Sequence, residues 1–225
     1  MSVIRRKPRA PLLSALAVAV LAMLALGAGT AQAHEWTIKG APLSEQGGKM
    51  GISGKSSEPI NFNWSALEGD FSWRCNSATE SATAEVGGVS QATIQFSECA
   101  FTKAPSVCRM NSVVETTVST KVAEVTFEGK PTAFEVYSTL SGKGLKIEVQ
   151  GAECSIAPLT WEFNGSFASR IDGLERIFQP RTFSRANQVG GGFLLGPSAG
   201  PLYIEGGWSE AIASGPLLGY PWLLS

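Results

Sequence analysis

The sequence predicts an all-β fold, either an antiparallel β-sandwich or a flattened barrel, with two disulfides. First, apolar and polar residues alternate in many short segments, for example in Leu145–Val149, and this period of two is typical of strands with one buried face. Second, glycine-rich turn sequences such as 141–144 separate the segments, at a spacing found in sandwiches and barrels. Third, the chain contains four cysteines, and an even number fits two disulfides.

The first 33 residues have the pattern of a secretory signal peptide. A basic start is followed by an apolar run from Leu12 to Leu26 and by Ala31-Gln32-Ala33, a small-x-small cleavage site. This apolar run is shorter than the roughly 20 residues that a membrane-spanning helix needs. We therefore predict a secreted, extracellular protein with no membrane span after cleavage. Residues 34–225 would form a single β-rich domain.

The charge of the predicted mature chain argues against two classes of partner. Residues 34–225 carry 14 lysines and arginines against 19 aspartates and glutamates. Nucleic acids and anionic lipids both favour clustered positive charge, so a net negative chain is not expected to bind them. The sequence does not identify the partner, and a polysaccharide or another protein of the cell envelope is a candidate.

Taken in order, the segments give twelve strand predictions, with a disulfide-framed core over about 59–167 and a closing segment rich in glycine and proline over about 189–225. Residues 40–58 are predicted to be a polar connection, because glycines interrupt them. Ser169–Phe178 is the one predicted helix, although Gly173 disfavours it. The residues from Leu217 to Leu224 are predicted to pack as a terminal strand. The other strands are predicted at 35–39, 60–64, 71–75, 91–97, 113–118, 122–128, 132–137, 145–149, 159–167, 202–205 and 208–212.

Four cysteines permit three disulfide pairings. We favour Cys99 with Cys108, because only eight residues separate them and Pro105 lies between, which leaves Cys75 with Cys154. A metal site is not predicted, since it would need closely paired ligands such as C-x-x-C.

These features together resemble a group of exported four-cysteine β-proteins from high-GC Gram-positive bacteria. The resemblance rests on the signal peptide, Glu35-Trp36, the four cysteines in their order, Gly151-Ala152-Glu153-Cys154 and Trp222. The group has no assigned activity. The resemblance therefore implies compartment and architecture, and it supplies no catalytic residue.

No set of residues predicts a catalytic centre, and no cofactor is expected. His34 would become the mature amino terminus, yet a copper site there needs a second histidine and the chain has one. The Gly196–Gly200 segment matches G-x-S-x-G, but no histidine follows Ser198 to complete a triad. Seventeen glutamates leave a carboxylate pair for glycoside hydrolysis open.

The remaining charged side chains are predicted to lie on a solvated face of the fold. Glu124, Glu135 and Glu148 occupy the polar positions of alternating strands. Four arginines near one another in sequence are assigned to solvent as well, with a shallow anion-binding patch as the alternative. They are Arg170, Arg176, Arg181 and Arg185.

The aromatic residues separate into predicted core and predicted surface. Trp73 and Trp161 share their strand faces with other apolar residues, so they belong to the core. Trp36, Trp64 and Trp222 are candidates to face a ligand, such as a sugar ring. Lys103, which lies between Cys99 and Cys108, is a fourth candidate. A disulfide-framed loop could present the Lys103-Ala104 bond to the active site of a trypsin-like protease.

Three functions follow from the sequence as hypotheses. The first is a non-enzymatic β-protein with a binding or structural role at or outside the cell envelope. The second is a carbohydrate-active hydrolase that uses a glutamate pair. The third is a protease inhibitor that presents the loop from Cys99 to Cys108.

Overall fold

Antiparallel strands account for most of the structure, a computed structural model that describes residues 36–38, 41–66, 69–127, 130–151, 154, 160–171, 178–184, 193–195, 201–214, 217–218 and 220–224. These residues belong to one compact unit. They contain a single 3₁₀ turn, Leu43–Gln46, and no helix long and apolar enough to cross a membrane. The strands are β1 Trp36–Ile38, β2 Ala41–Pro42, β3 Lys49–Ser56, β4 Ile60–Ala66, β5 Gly69–Glu85, β6 Val89–Lys103, β7 Arg109–Met110, β8 Val113–Phe127, β9 Lys130–Thr139, β10 Leu145–Gln150, β11 Thr160–Arg170, β12 Gln179–Phe183, β13 Phe193–Leu195, β14 Pro201–Ser214 and β15 Trp222–Leu224.

The large sheet closes on itself. Its strands pair in the order β12, β14, β3, β5, β6, β8, β9 and β11, and β11 pairs in turn with β12 through Arg170 and Thr182. Every pairing in this ring is antiparallel. The prediction of an all-β antiparallel fold is confirmed, and the large sheet forms a closed ring.

The interior of the closed sheet has a first half beside β4 and a second half beside β3, and the two halves share one hydrophobic core. The first part of β5 pairs with β4 and its second part with β3, and β14 is shared between the same two strands. In both β5 and β6 the buried face changes between the two parts, next to Cys75 and Cys99. At this change Glu98 has φ 54°, a left-handed conformation that is uncommon for a residue with a side chain.

The first half of the interior is filled with aromatic rings. Trp64, Phe71 and Trp161 all contact one another, with ring centroids 4.8 to 5.2 Å apart. Trp73 stacks on Phe62 at 5.0 Å. Large aromatic side chains bury much apolar area, so this aromatic half provides a large share of the hydrophobic stabilisation. The predicted core positions of Trp73 and Trp161 are confirmed, since each is 1% exposed.

A separate small sheet joins the first and last described strands. In it β1 pairs with β15 on one side and with β2 on the other. Trp36 and Trp222 contact each other with centroids 5.0 Å apart, and both are fully buried. The packed terminal strand predicted near 217–224 is confirmed for Trp222–Leu224.

Two sequence predictions of secondary structure need correction. The predicted connection 40–58 contains β2 and β3, and β3 alternates between the two faces although it includes Gly51 and Gly54. The predicted helix at 169–178 begins inside β11, since Ser169 and Arg170 are strand residues. Residues 172–177 lie outside the described residues, so the rest of that prediction is untested.

The predicted disulfide pairing is wrong. Cys75 is bonded to Cys99 and Cys108 to Cys154, with Cα–Cα distances of 3.9 and 5.0 Å. The physical reason is that β6 continues past Cys99 to Lys103, so extended backbone carries the chain away before it turns at Pro105. Cys99 instead lies opposite Cys75 on the neighbouring strand β5.

Candidate functional site

Five polar side chains meet inside the second half of the closed sheet. We call Glu80, Glu135, Tyr137, Arg181 and Glu210 the ionic cluster. They come from four strands, β5, β9, β12 and β14, and none is more than 7% exposed. Charged side chains are seldom buried without partners, so this cluster is the most unusual chemical feature of the described residues.

A glycine makes room for two of the carboxyl groups. Gly54 of β3 pairs with Glu80 on one side and with Glu210 on the other. A Cβ atom at this glycine would lie 2.8 Å from Glu80 Oε2, 2.9 Å from Glu80 Cβ and 3.4 Å from Glu210 Cγ. The missing side chain of Gly54 therefore provides the space in which the two carboxyl side chains approach each other.

Arg181 of β12 contacts carboxyl groups on two other strands, β9 and β14. Its Nε donates to Glu135 Oε2 at 2.8 Å, and its NH2 group lies 3.0 Å from Glu210 Oε2. Glu210 Oε1 also accepts from the Tyr137 hydroxyl at 3.0 Å and from Trp208 Nε1 at 2.9 Å. One carboxylate thus receives a cation and two neutral donors, the kind of partners that buried charge requires.

The electrostatic balance of the ionic cluster is negative, because three carboxyl groups face one guanidinium. Burial raises the pKa of Glu80 well above its usual value, and the nearby Glu210 and Glu135 raise it further. Burial and Glu210 also raise the pKa of Glu135, although Arg181 and a hydrogen bond from Thr120 oppose this. Burial likewise raises the pKa of the Tyr137 hydroxyl.

The ionic cluster is enclosed by aromatic rings and by the small sheet. Tyr137 stacks on Phe167 at 4.8 Å, and Phe183 contacts Trp208 at 4.2 Å. The Arg181 guanidinium lies 5.6 Å from the centre of the Trp222 ring, a cation–π contact. The Gln179 amide donates to the Trp222 carbonyl, which anchors β15 beside the cluster.

This enclosure limits what the ionic cluster can do chemically. A glycoside hydrolase needs two carboxyl groups in a groove that admits a sugar chain. Glu80, Glu135 and Glu210 are instead sealed from solvent in the described structure. The ionic cluster can bind a proton and hold strands together, but it does not offer a substrate site.

A different feature is open to solvent on the outer face of the sheet. A groove of about 580 Å³ crosses β3, β5, β6 and β8. Its hydroxyl and amide side chains form cross-strand rows, since Ser81 pairs with Thr93 and Thr93 with Thr117, while Thr83 pairs with Gln91. The groove is lined by Lys49, Ser81, Ala82, Thr83, Glu85, Ser90, Gln91, Ala92, Thr93 and Thr117.

One ion pair lies at an end of this outer groove. Lys49 Nζ is 2.7 Å from Glu85 Oε1, and both side chains are exposed. None of the residues that line the groove is aromatic. A ligand would therefore be held by hydrogen bonds from hydroxyl, amide and charged groups.

The structure corrects the three tryptophans that the sequence offered as ligand-facing. Trp36, Trp64 and Trp222 are all buried, Trp64 at 3% exposure and the other two at 0%. Each packs against another aromatic ring. Packing in the core removes the whole indole from water, whereas a ring on a ligand-binding surface would stay partly exposed. These three rings form no sugar-stacking surface.

Lys103 is exposed at the end of β6, as a ligand-facing residue would be, but it has a partner. Its Nζ lies 3.1 Å from Asp70 Oδ2, and this contact lowers the pKa of Asp70. Because Cys99 and Cys108 are not bonded to each other, the loop between them lacks the frame on which the inhibitor hypothesis rested.

Two charged residues assigned to solvent belong to the ionic cluster. Glu135 and Arg181 are 3% and 1% exposed, so the solvated-face prediction is wrong for both. Glu148 and Arg170 are exposed as predicted. The side chain of Glu124 lies outside the described residues, and so do His34, Arg176, Arg185 and the Gly196–Gly200 segment.

Sequence reasoning missed the ionic cluster because its members look like surface residues. One signal was available, since Glu80 lies in step with Ala78, Ala82 and Ala84 on the face of β5 that the structure buries. A glutamate at a predicted core position indicates either that the predicted strand register is wrong or that the carboxyl group is buried.

Comparison with known proteins adds no family. The chain matches no protein-family model, no curated protein and no solved structure. Within the described residues, no group of three or more histidine, cysteine, aspartate or glutamate side chains could hold a metal ion.

Proposed function

We propose that this protein is exported and acts without catalysis, binding a polysaccharide or another component at or outside the cell envelope through its outer groove. The observation that carries the proposal is the groove across β3, β5, β6 and β8, an open recess lined by hydroxyl and amide groups. Its volume lies in the range of about 300–1,000 Å³ that is common for ligand sites.

The predicted signal peptide and the two disulfides support export, because disulfides persist in oxidising compartments outside the cytosol. The resemblance to exported four-cysteine proteins of high-GC Gram-positive bacteria supports the same compartment. A hydroxyl-rich polymer fits the groove best among the predicted partners, since rows of threonine, serine and glutamine can exchange hydrogen bonds with sugar hydroxyls.

The test uses purified residues 34–225 in a pull-down and glycan-array screen with bacterial and plant polysaccharides. We expect at least one polymer to be retained by the wild-type protein. Replacing Thr93→Val and Thr117→Val removes two groove hydroxyls with little change of shape, and retention should fall at least tenfold.

Thr79→Val is the matched control, because Thr79 is an exposed threonine of β5 that does not line the groove. It should bind like the wild type. The proposal is wrong if no polymer is retained, or if the groove variant and the control bind equally well.

A further inference from the structure

We infer that the folded protein carries a proton on Glu80, inside the ionic cluster, and that this proton makes the closed sheet stable in acid and sensitive to alkali. The inference is independent of the proposed function, because it concerns the sealed interior and not the outer groove. It rests first on the arrangement of charges around Glu80.

Within the part of the chain that the structure describes, four charged or titratable groups face Glu80. Glu210 approaches from β14, Glu135 and Tyr137 from β9, and Arg181 from β12. The adjoining strands β3 and β6 place Gly54 and Ile94 beside Glu80, and neither residue carries charge. If all three carboxyl groups were ionised, one guanidinium would leave a net charge of −2 in the interior.

The local hydrogen bonds also favour a neutral Glu80. Among the described residues, Arg181 forms ion pairs with Glu135 and Glu210, at 2.8 and 3.0 Å, and none with Glu80. Glu80 Oε2 is buried with no hydrogen-bond donor among the described residues. Two facing carboxyl groups attract each other only when one holds a proton, so protonation of Glu80 turns its contact with Glu210 from repulsive to favourable.

The sign of the pH dependence follows from linkage. Burial and the two neighbouring carboxylates raise the pKa of Glu80 in the folded state, so the folded state binds more protons than the unfolded state above pH ~4.5. Stability contributed by this proton is present in full at lower pH. It is lost as the pH rises through the folded-state pKa.

The other titratable groups with shifted pKa values either change stability in a different pH range or are present in both the wild type and a Glu80 variant. Tyr137 has a raised pKa, so below pH ~9 its hydroxyl is protonated in both states. Asp70 has a lowered pKa and affects stability only in acid, below pH ~4. Glu135 acts with the same sign as Glu80 but is retained in a Glu80 variant.

The experiment compares wild type, Glu80→Gln and Glu85→Gln by urea unfolding between about pH 5 and pH 9. Glutamine imitates the protonated acid and cannot ionise. If the folded wild type binds one proton more than the unfolded state, its folding equilibrium constant should fall by up to about tenfold for each unit by which the pH rises. Glu80→Gln should reduce the measured proton excess by about one. The control, Glu85→Gln, changes the exposed ion-pair partner of Lys49. Its stability should depend on pH as steeply as that of the wild type.

A second measurement keeps the inference testable if Glu80→Gln does not fold. The wild-type protein at neutral pH should show the infrared carbonyl band of a protonated carboxylic acid, and the band should disappear at alkaline pH. Absence of that band at neutral pH would overturn the inference. So would a Glu80→Gln protein whose stability depends on pH as steeply as that of the wild type.

Discussion

At the scale of single residues, the position of Gly54 shows how a small side chain allows polar groups into a core. In sequence this glycine resembles part of a flexible connection. In the structure it lies in β3 between Glu80 and Glu210, and its missing Cβ is the space that their side chains occupy. Interiors are densely packed, so added atoms there force neighbours to move.

Replacing Gly54→Ala should therefore destabilise the protein, although alanine loses less backbone entropy than glycine when the chain folds. The new Cβ would lie 2.9 Å from Glu80 Cβ, an atom close to the backbone that cannot swing away. We expect the free energy of unfolding to fall by about 1–3 kcal/mol, measured by urea denaturation.

Ser53→Ala provides the matched control, because Ser53 precedes this glycine on β3 and faces solvent. Its effect should stay within about 0.5 kcal/mol. A Gly54→Ala variant as stable as this control would show that the carboxyl groups are not packed against β3.

At the scale of strands, β5 and β6 determine which cysteines meet. The two strands pair along nearly their whole length, and this register brings Cys75 opposite Cys99. Cys108 follows the turn at Pro105 and joins Cys154, which lies just beyond β10. Register is a property of paired strands, so it outweighs closeness in sequence.

Tryptic digestion without reduction distinguishes this pairing from the other two. The chain has no lysine or arginine between Cys75 and Cys99, so both cysteines fall in the peptide 75–103. We expect peptide 104–109 to be joined to peptide 147–170 alone, with 75–103 recovered separately as an internally bridged peptide. Mass spectrometry identifies both species.

Either alternative pairing would join all three of these peptides into one species. Finding that species in protein secreted and purified without reductant would contradict the register of β5 and β6. Reduction before digestion serves as the control, since it should release the three peptides singly in every case.

At the scale of the whole molecule, closure of the sheet and the small sheet beside it produce the sealed interior. The ring is completed where β11 meets β12, and β12 carries Arg181 into the ionic cluster. The small sheet then places Trp222 against Arg181 and beside Gln179. Residues far apart in sequence thereby enclose one buried network.

Trp222→Ala should open this enclosure. The ring is fully buried against Trp36 and Arg181, and removing it leaves a large cavity. We expect a loss of about 3–5 kcal/mol in the free energy of unfolding, as for other buried tryptophans. Urea denaturation followed by far-UV circular dichroism measures this loss.

Leu218→Ala is the control for this variant, because Leu218 is nearby in sequence and 61% exposed. Its effect should stay within about 0.5 kcal/mol. If Trp222→Ala were no more damaging than this control, the small sheet would not be part of the stable fold.

How far the sequence predicts this structure depends on the range of the interactions involved. Alternation within Leu145–Val149 or around Trp73 reports a buried face directly, because a strand has a period of two whatever its neighbours are. The ionic cluster has no such local signal. Glu135 and Arg181 are buried because β9 and β12 turn those positions inward in a closed ring.

The sequence by itself determined that this chain forms antiparallel strands, that it has two disulfides and that Trp73 and Trp161 belong to the core. Tertiary structure alone determined which cysteines pair, that the sheet closes, and that Glu80, Glu135, Arg181 and Glu210 share one buried site. The physical reason is that hydrophobic period is a local property of the chain. Disulfide partners and buried ion pairs depend on strand register and sheet closure, which bring together residues that are far apart in sequence. Cys108 and Cys154 are 46 positions apart, and Tyr137 and Glu210 are 73 positions apart.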